Sequence, residues 1–214
     1  MTYPTNNRRT WLMRALLLVL VAIPLSGCSH VCPLKATIDA PPNLNKIPLT
    51  VGVFYNSDLR NYEHSRAIMQ HRWVVPIGNA SVSLFDLALP MIFERVVNAS
   101  SRPPYQEEKQ KLAAVIEPTI EEFNFSVPFA LGGYEAEISY RFTLYSLDGT
   151  PFASWTVKGE GKRGTCFDCL THARPIGEAT DLAMQDAAKK FLVGFSEVPE
   201  VRLWLRRNGL LKPE

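Results

Sequence analysis

The sequence predicts an α+β fold with two layers: a mostly antiparallel sheet, two main helices packed on it, and a short C-terminal helix. Residues 134–147 and 151–159 alternate apolar and polar side chains on either side of Asp148-Gly149, which is typical of a β-hairpin. Residues 79–98 and 176–195 instead carry apolar side chains at three- and four-residue steps, as amphipathic helices do. A group of antiparallel strands between two such helices gives a two-layer α+β domain.

The first elements of the predicted domain are two strands and a helix. Residues 49–55 alternate in the manner of a strand. Residues 56–71 are polar and have no clear period, so we interpret them as an excursion before a short extended segment at residues 73–78. The first helix follows at residues 79–98, and Pro90 should either kink it or mark a late start.

The next strand is expected at residues 112–127, interrupted at Pro118, and the hairpin follows it. Gly159, Gly161 and Gly164 come at the end of the hairpin. A phosphate-binding glycine loop leads directly into a helix, whereas this one leads into cysteines. We therefore interpret these glycines as a flexible turn.

A short helix at residues 199–208, ended by Gly209, is the last predicted element. It carries Trp204 among several arginines. A basic amphipathic helix of this kind can lie on an anionic membrane or can dock on its own domain with the arginines in water. We expect docking, which is the more common arrangement.

The N-terminus has the parts of an export signal in the expected order. Three arginines at positions 8, 9 and 14 precede an apolar run at residues 15–23, and Leu25-Ser26-Gly27-Cys28 follows. The apolar run is far shorter than the ~20 residues that cross a bilayer, so it indicates a signal peptide. The tetrad resembles the lipobox of bacterial lipoproteins, which implies cleavage before Cys28, a diacylglycerol on its thiol and an acyl chain on its new amine. The alternative is an ordinary secretory peptide with a chance cysteine.

The lipobox resemblance divides the chain into three parts. They are a signal peptide at residues 1–27, a lipidated Pro-rich tether at residues 28–46 that stands the body off the membrane, and a single α+β domain at residues 47–214. The residue after Cys28 is Ser29 and not the aspartate that tends to retain enterobacterial lipoproteins at the inner membrane. The expected location is the cell envelope, on the outer membrane and facing the periplasm.

Charge argues against a nucleic-acid partner. Without residues 1–27, which carry three arginines and no acid, the chain has 20 basic and 21 acidic residues. A nearly neutral protein lacks the basic surface that phosphate backbones require. We therefore expect partners among membrane lipids and envelope proteins.

The cysteines that remain after lipidation allow three interpretations. Cys166 and Cys169 are spaced for a disulfide, which an oxidising compartment favours. With His172, and with Cys32 or His30 as a fourth ligand, they form a weak zinc pattern. A redox dithiol is the third interpretation, but it needs a helix that starts soon after the first cysteine, and the predicted helix begins too late. The disulfide is the favoured interpretation, and no metal is expected.

The body of the chain resembles small envelope lipoprotein domains of the TolB amino-terminal, CsgG and YajG types. The resemblance implies an envelope component without enzymatic activity, and it transfers no catalytic residue. The residues that carry it are Val51-Gly52-Val53, Ala114-Val115-Ile116, the hairpin from Tyr134 to Val157, and the alanine-rich helix around Ala179, Leu182, Ala183, Ala187 and Ala188.

These observations lead to one hypothesis and two alternatives. The first hypothesis is a lipid-anchored, non-enzymatic accessory or scaffold subunit of a cell-envelope transport, secretion or assembly complex. Its expected partners are the membrane, through acylated Cys28, and other envelope proteins; the covalent lipid is the one cofactor expected. The alternatives are a periplasmic protein centred on the cysteines and a carrier of a hydrophobic ligand. The sequence leaves the oligomeric state open.

Overall fold

The computed structural model describes residues 29–41, 44–68, 71–105, 111–128, 132–164 and 172–211, which form two β-sheets and four α-helices. A 3-10 turn at Phe195–Glu197 joins the last two helices. In chain order the elements are β1 (Ser29–Val31), β2 (Ile47–Val53), α1 (Ser57–Arg60), β3 (His64–Ile68), β4 (His71–Val75), α2 (Ile77–Ile92), β5 (Phe93–Asn98), β6 (Val115–Ser126), β7 (Tyr134–Tyr145), β8 (Pro151–Arg163), α3 (Ala173–Gly194) and α4 (Pro199–Arg207).

The main sheet has five strands in the order β5-β2-β6-β7-β8. Strand β2 is parallel to both of its neighbours, while β6, β7 and β8 form an antiparallel meander. The meander strands have 12, 12 and 13 residues and are the longest of the sheet, so antiparallel pairing predominates. The α+β prediction is confirmed, and the hairpin turns at Gly149, whose positive φ of 92° suits glycine.

Helices α2 and α3 cover one face of the main sheet and bury its apolar side chains. Phe142 of β7 stacks on Phe191 of α3 with ring centroids 4.2 Å apart, and Phe85 of α2 meets Phe142 edge-on at 5.3 Å. The Tyr140 hydroxyl, fully buried, shares a 2.7 Å hydrogen bond with Ser81. Because a buried hydroxyl without a partner is costly, this bond allows a tyrosine in the centre of the core.

Helix α3 lies unusually close to β8 because both contribute small residues at the contact. A Cβ atom on Gly161 would lie 2.0 Å from the carbonyl oxygen of Ala179, and one on Gly159 would lie 2.0 Å from that of Ala183. The two glycines are two residues apart in the strand, and the two alanines that they contact are four residues apart in the helix. Successive turns of α3 therefore pack on the two glycines. The predicted flexible turn is wrong for Gly159 and Gly161, which lie inside β8.

The first predicted helix is too long at its C-terminal end. The structure has a helix from Ile77 to Ile92, and residues 93–98 form strand β5 instead. Pro90 lies in the last turn of the helix, where the missing N–H removes a hydrogen bond near the end only. Beyond it, β-branched Val96 and Val97 fit a strand, and parallel pairing with β2 replaces the helical hydrogen bonds.

Pro118 does not interrupt β6, contrary to the prediction. The N–H of Phe54 donates to the carbonyl oxygen of Ile116, so the backbone groups of Ile116 point toward β2. Backbone direction alternates along a strand, and Pro118 therefore points to the same side, past the end of β2. A proline is tolerated there because that part of the edge has no strand to pair with among the described residues.

A second, three-stranded sheet has the order β1-β4-β3. Strands β3 and β4 form an antiparallel hairpin, and β1 runs parallel to β4. This small sheet and helix α1 occupy most of the stretch that the sequence analysis interprets as a polar excursion. The ring of His64 packs edge-on against Phe123 at 5.1 Å and Phe125 at 5.8 Å, and this contact joins the small sheet to β6.

The contact between α3 and β8 leads to the first prediction. Gly161→Ala should lower the free energy of unfolding by about 3 kcal/mol or more, because the new methyl group meets helix backbone that cannot rotate away. Gly194→Ala is the matched control in α3 itself: nothing lies within 4 Å of its Cβ position, so stability should hold or rise by up to about 1 kcal/mol. Urea unfolding followed by circular dichroism measures both. Equal stability of the two variants would contradict the close packing.

Candidate functional site

Residues 29–41, here called the N-terminal segment, lie against the folded domain. Ser29 opens β1 and pairs with Arg72 of β4, and the N–H of Cys32 donates to the carbonyl oxygen of Val74 at 2.8 Å. The sequence analysis assigns these residues to a tether. In the structure they contribute a strand and part of the core, because Cys32 and Ala36 are buried.

Helix α3 holds the N-terminal segment at two points. A Cβ atom on Gly177 would lie 2.2 Å from the carbonyl oxygen of Pro33, so glycine permits the segment to cross the helix in contact with its backbone. One turn later the carboxylate of Asp181 accepts the N–H of Lys35 at 3.0 Å and that of Ala36 at 3.3 Å. Burial raises the pKa of Asp181, and the two backbone donors oppose this rise.

Cys32 is a free thiol in the interior of the domain. It is 0% exposed, and burial raises the pKa of its thiol to about 12. A thiol that stays protonated and out of solvent is neither a ready nucleophile nor a ready metal ligand. The structure therefore gives Cys32 a packing role in the core.

Three histidines and two larger aromatic residues meet beside the N-terminal segment; we call them the histidine cluster. The ring of His30 stacks on Trp73 at 4.7 Å, and its Nε2 lies 3.2 Å from Nδ1 of His71. His172 meets Trp73 edge-on at 5.6 Å, and its Nδ1 shares a 2.6 Å hydrogen bond with the hydroxyl of Tyr134. The cluster thus ties β1, β4, β7 and the start of α3 together.

The sequence-predicted site residues are only partly placed by the structure. Cys28, Cys166 and Cys169 lie outside the described residues, so lipidation, the disulfide and the zinc pattern remain predictions. His172 is described, and it bonds to Tyr134. Within the described ranges no group of three or more histidine, cysteine or acidic side chains could hold a metal ion.

The histidine cluster marks one end of the molecule, which we call the anchor end because Cys28, the predicted lipidation site, directly precedes Ser29 in the sequence. Strand β8 ends and β7 begins at this end, where Tyr134 pairs with Arg163. Basic side chains are frequent here: Arg163 and Arg174 both bind Glu178, at 2.6 and 2.9 Å. They hold the pKa of Glu178 below its usual value, so that carboxylate stays charged and is neutralised by its partners.

The opposite end contains α4 and a partly apolar groove, here called the distal groove. Val201, Trp204 and Leu205 are buried, which confirms that α4 docks on the domain. Trp204 lies 5.8 Å from Phe152, close to the β7–β8 turn and far from Tyr134. The groove has a volume of about 470 Å³. Its apolar lining includes Leu44, Ile47, Val193, Leu205, Leu210 and Leu211.

A buried carboxylate outside both ends is fully used by the fold. Glu117 of β6 is about 2% exposed and receives the guanidinium of Arg102 at 2.6 and 2.7 Å. The amide of Asn56, which also caps α1, donates to the same carboxylate at 2.8 Å. A buried charge with three donors is stabilised by them and joins three chain segments, which is a structural role.

Comparison with known proteins shows a fold and no family. No protein-family model and no curated protein matches the chain. Protein XCC0632 from Xanthomonas campestris, assigned to family DUF330, is similar in structure, with a TM-score of 0.54 over 86% of this chain and 99% of that one at 10% identity. At this identity the likeness shows a shared fold alone.

Two solved lipoproteins are more distant. The minor lipoprotein from Acinetobacter baumannii has a TM-score of 0.40 at 9% identity, covering 72% of this chain and 94% of its own. Lipoprotein GNA1162 from Neisseria meningitidis has a TM-score of 0.34 at 12% identity, covering 56% of this chain and 88% of its own.

Among the described residues, no helix has both the length and the apolar character needed to cross a membrane.

The N-terminal segment generates a prediction about α3. Asp181→Ala removes the acceptor of two backbone donors, so we expect a loss of about 1–3 kcal/mol and faster amide hydrogen exchange in residues 29–41. Asp186→Ala is the control, since Asp186 also accepts a backbone N–H, from Glu160, but in an exposed position. It should leave exchange in residues 29–41 unchanged. Slow exchange there in Asp181→Ala would contradict the proposed contact.

His64 generates a prediction about pH. Burial lowers its pKa, and the charge of Arg66 lowers it further, so the unfolded chain takes up the proton first. Stability from this residue is therefore present above the unfolded pKa of about 6.5 and is lost as pH falls below it. His64→Gln should flatten the dependence of unfolding free energy on pH in this range relative to the wild type. If the unfolding free energies of the two proteins, measured by urea unfolding, changed equally with pH, His64 would not contribute to the pH dependence of stability.

Proposed function

We propose that the protein is a lipid-anchored, non-enzymatic accessory or scaffold subunit of a cell-envelope transport, secretion or assembly complex. The observation that carries the proposal is the position of Ser29. This residue follows the predicted acylated cysteine directly and already belongs to strand β1. An anchor at this point holds the folded body itself at a membrane, which is the arrangement that a fixed subunit needs.

The two ends of the molecule support a role in a complex. The proposed lipid attachment occupies the anchor end, whereas the partly apolar distal groove is accessible at the opposite end. Two of its lining side chains, Val193 and Leu211, are apolar and exposed. Apolar side chains around a groove are typical of a surface that binds a protein partner. We propose the outer membrane, facing the periplasm, as the location because Ser29 follows the cysteine.

A hydrophobic-ligand carrier is the second candidate, and the distal groove is the observation that favours it. A volume of about 470 Å³ lies within the range of small-molecule sites. Mass spectrometry of protein purified without added lipid distinguishes the two candidates. A stoichiometric lipid other than the covalent one would favour the carrier.

The proposed function predicts the behaviour of a cysteine variant. Cys28→Ala should move the protein from the membrane fraction to the soluble fraction, because two or three acyl chains make attachment effectively permanent and their loss removes it. Cys32→Ala is the matched control: the thiol is buried four residues further on, and its loss should leave fractionation unchanged. Fractionation of intact cells followed by immunodetection makes the measurement.

Cross-linking in intact cells then tests the subunit role. Affinity capture of the acylated protein should recover a stoichiometric set of envelope proteins, and Cys28→Ala should lose that set. Recovery of the acylated protein alone would contradict the role as an accessory subunit while leaving the lipid anchor intact.

A further inference from the structure

We infer that the anchor end rests directly on the membrane, with Val31 and Arg72 in the lipid interface and the distal groove facing away from it. The inference deepens the proposed function and rests on acylation of Cys28. Three structural steps lead to it: the length of the junction, the face of the small sheet that lies beside it, and the length of the meander.

No residue separates the proposed acylated cysteine from the folded body. Consecutive Cα atoms are about 3.8 Å apart, so the acylated residue lies one peptide unit from β1. A flexible tether of residues 28–46 would instead let the body drift by roughly 25 Å. Ser29 is paired with Arg72, and the following residues are held by Asp181. The body therefore has to meet the membrane where the lipid enters it.

The face of the small sheet beside the junction suits a lipid interface. Residues opposite each other in register share a face, so Ser29, Val31 and Arg72 point to one side. His30 and Trp73 point to the other side, into the histidine cluster. Val31 is 62% exposed, and Arg72 is exposed as well. In a lipid interface, the apolar side chain of Val31 would contact acyl chains, and the guanidinium of Arg72 would bind the phosphate groups above them.

The charge that faces lipid comes from the small sheet and not from the meander. Lys162 binds Glu135 at 3.0 Å, Arg163 and Arg174 share Glu178, and Glu137 stands opposite Glu160, so the meander side of the anchor end is close to neutral. Arg72 lies on the exposed face that carries Val31, and its guanidinium is attracted to anionic lipid headgroups. The occupant that this face fits is therefore a lipid bilayer that contains anionic lipid.

The meander sets the distance between the membrane and the distal groove. Strand β7 has 12 residues, which span about 40 Å at about 3.3 Å per residue. Trp204 packs on Phe152 at the end of the meander opposite to Tyr134. A side chain on α4 such as Leu203 is then beyond the reach of a bilayer that touches Val31. Leu203 is 52% exposed and apolar, so it is a matched control for Val31.

Photo-cross-linking tests the orientation. A benzophenone amino acid replaces Val31 in one variant and Leu203 in another. Each acylated protein is placed in vesicles of phosphatidylethanolamine and phosphatidylglycerol, and lipid adducts are identified by mass spectrometry after illumination. We expect lipid adducts at position 31 and none above background at position 203. Adducts at position 203 as strong as those at 31, or none at 31, would overturn the inference.

Two further measurements complete the design. The mass of the N-terminal peptide reports acylation first: an unacylated Cys28 overturns both the proposed function and this inference, whereas an acylated protein without adducts at position 31 overturns the inference alone. A flexible Gly-Ser linker inserted between Cys28 and Ser29 should then reduce the adducts at position 31 several-fold. Unchanged adducts in the linker variant would contradict the role of the direct junction.

Discussion

The close packing of α3 on β8 is the constraint on which the remaining structure depends. Gly159 and Gly161 allow the helix backbone to touch the strand, and this contact fixes where α3 lies over the sheet. The same helix presents Gly177 and Asp181 to the N-terminal segment. A shift of α3 away from β8 would therefore move the two residues that hold the N-terminal segment, which follows the proposed anchor. Core packing and the position of the N-terminal segment are coupled through one helix, because packed interiors transmit displacement instead of absorbing it.

Helix α3 also decides which edge of the main sheet remains open. Asp186 accepts the N–H of Glu160, and Lys190 donates to the carbonyl oxygen of Lys158, so side chains of the helix occupy outward backbone groups of β8. A sheet edge blocked in this way resists pairing with another chain. An unprotected edge of 13 residues would be an aggregation hazard. Under the proposed function, this protection leaves surfaces such as the distal groove for partner binding.

Sequence patterns predicted the elements whose periodicity is unambiguous and missed the contacts that depend on three-dimensional proximity. The hairpin around Asp148-Gly149 alternates cleanly, and its prediction is confirmed. Residues 93–98 continue the apolar steps of the preceding helix in the sequence, but in the structure they form a strand that pairs with β2. Gly159 and Gly161 suggest a turn by composition alone. Their actual role depends on the backbone of α3, which would lie 2.0 Å from a Cβ atom at either position, and a single sequence does not reveal that contact. The prolines of the N-terminal segment indicated a tether, whereas Cys32 among them, a residue type that is usually buried, was a signal for the core.

A rigid junction changes what an anchored subunit can do. A body on a flexible tether samples a large volume and meets its partner at a low effective concentration, whereas a body joined directly to its lipid holds its binding surface at one height. In the proposed orientation, the length of β7 separates the distal groove from the membrane surface by up to about 40 Å. A partner embedded in the same membrane would then have to project that far to reach the groove, whereas a partner that approaches from the opposite side would not. Under this proposal, the direct junction between Cys28 and β1 selects partners by their reach as well as by their chemistry.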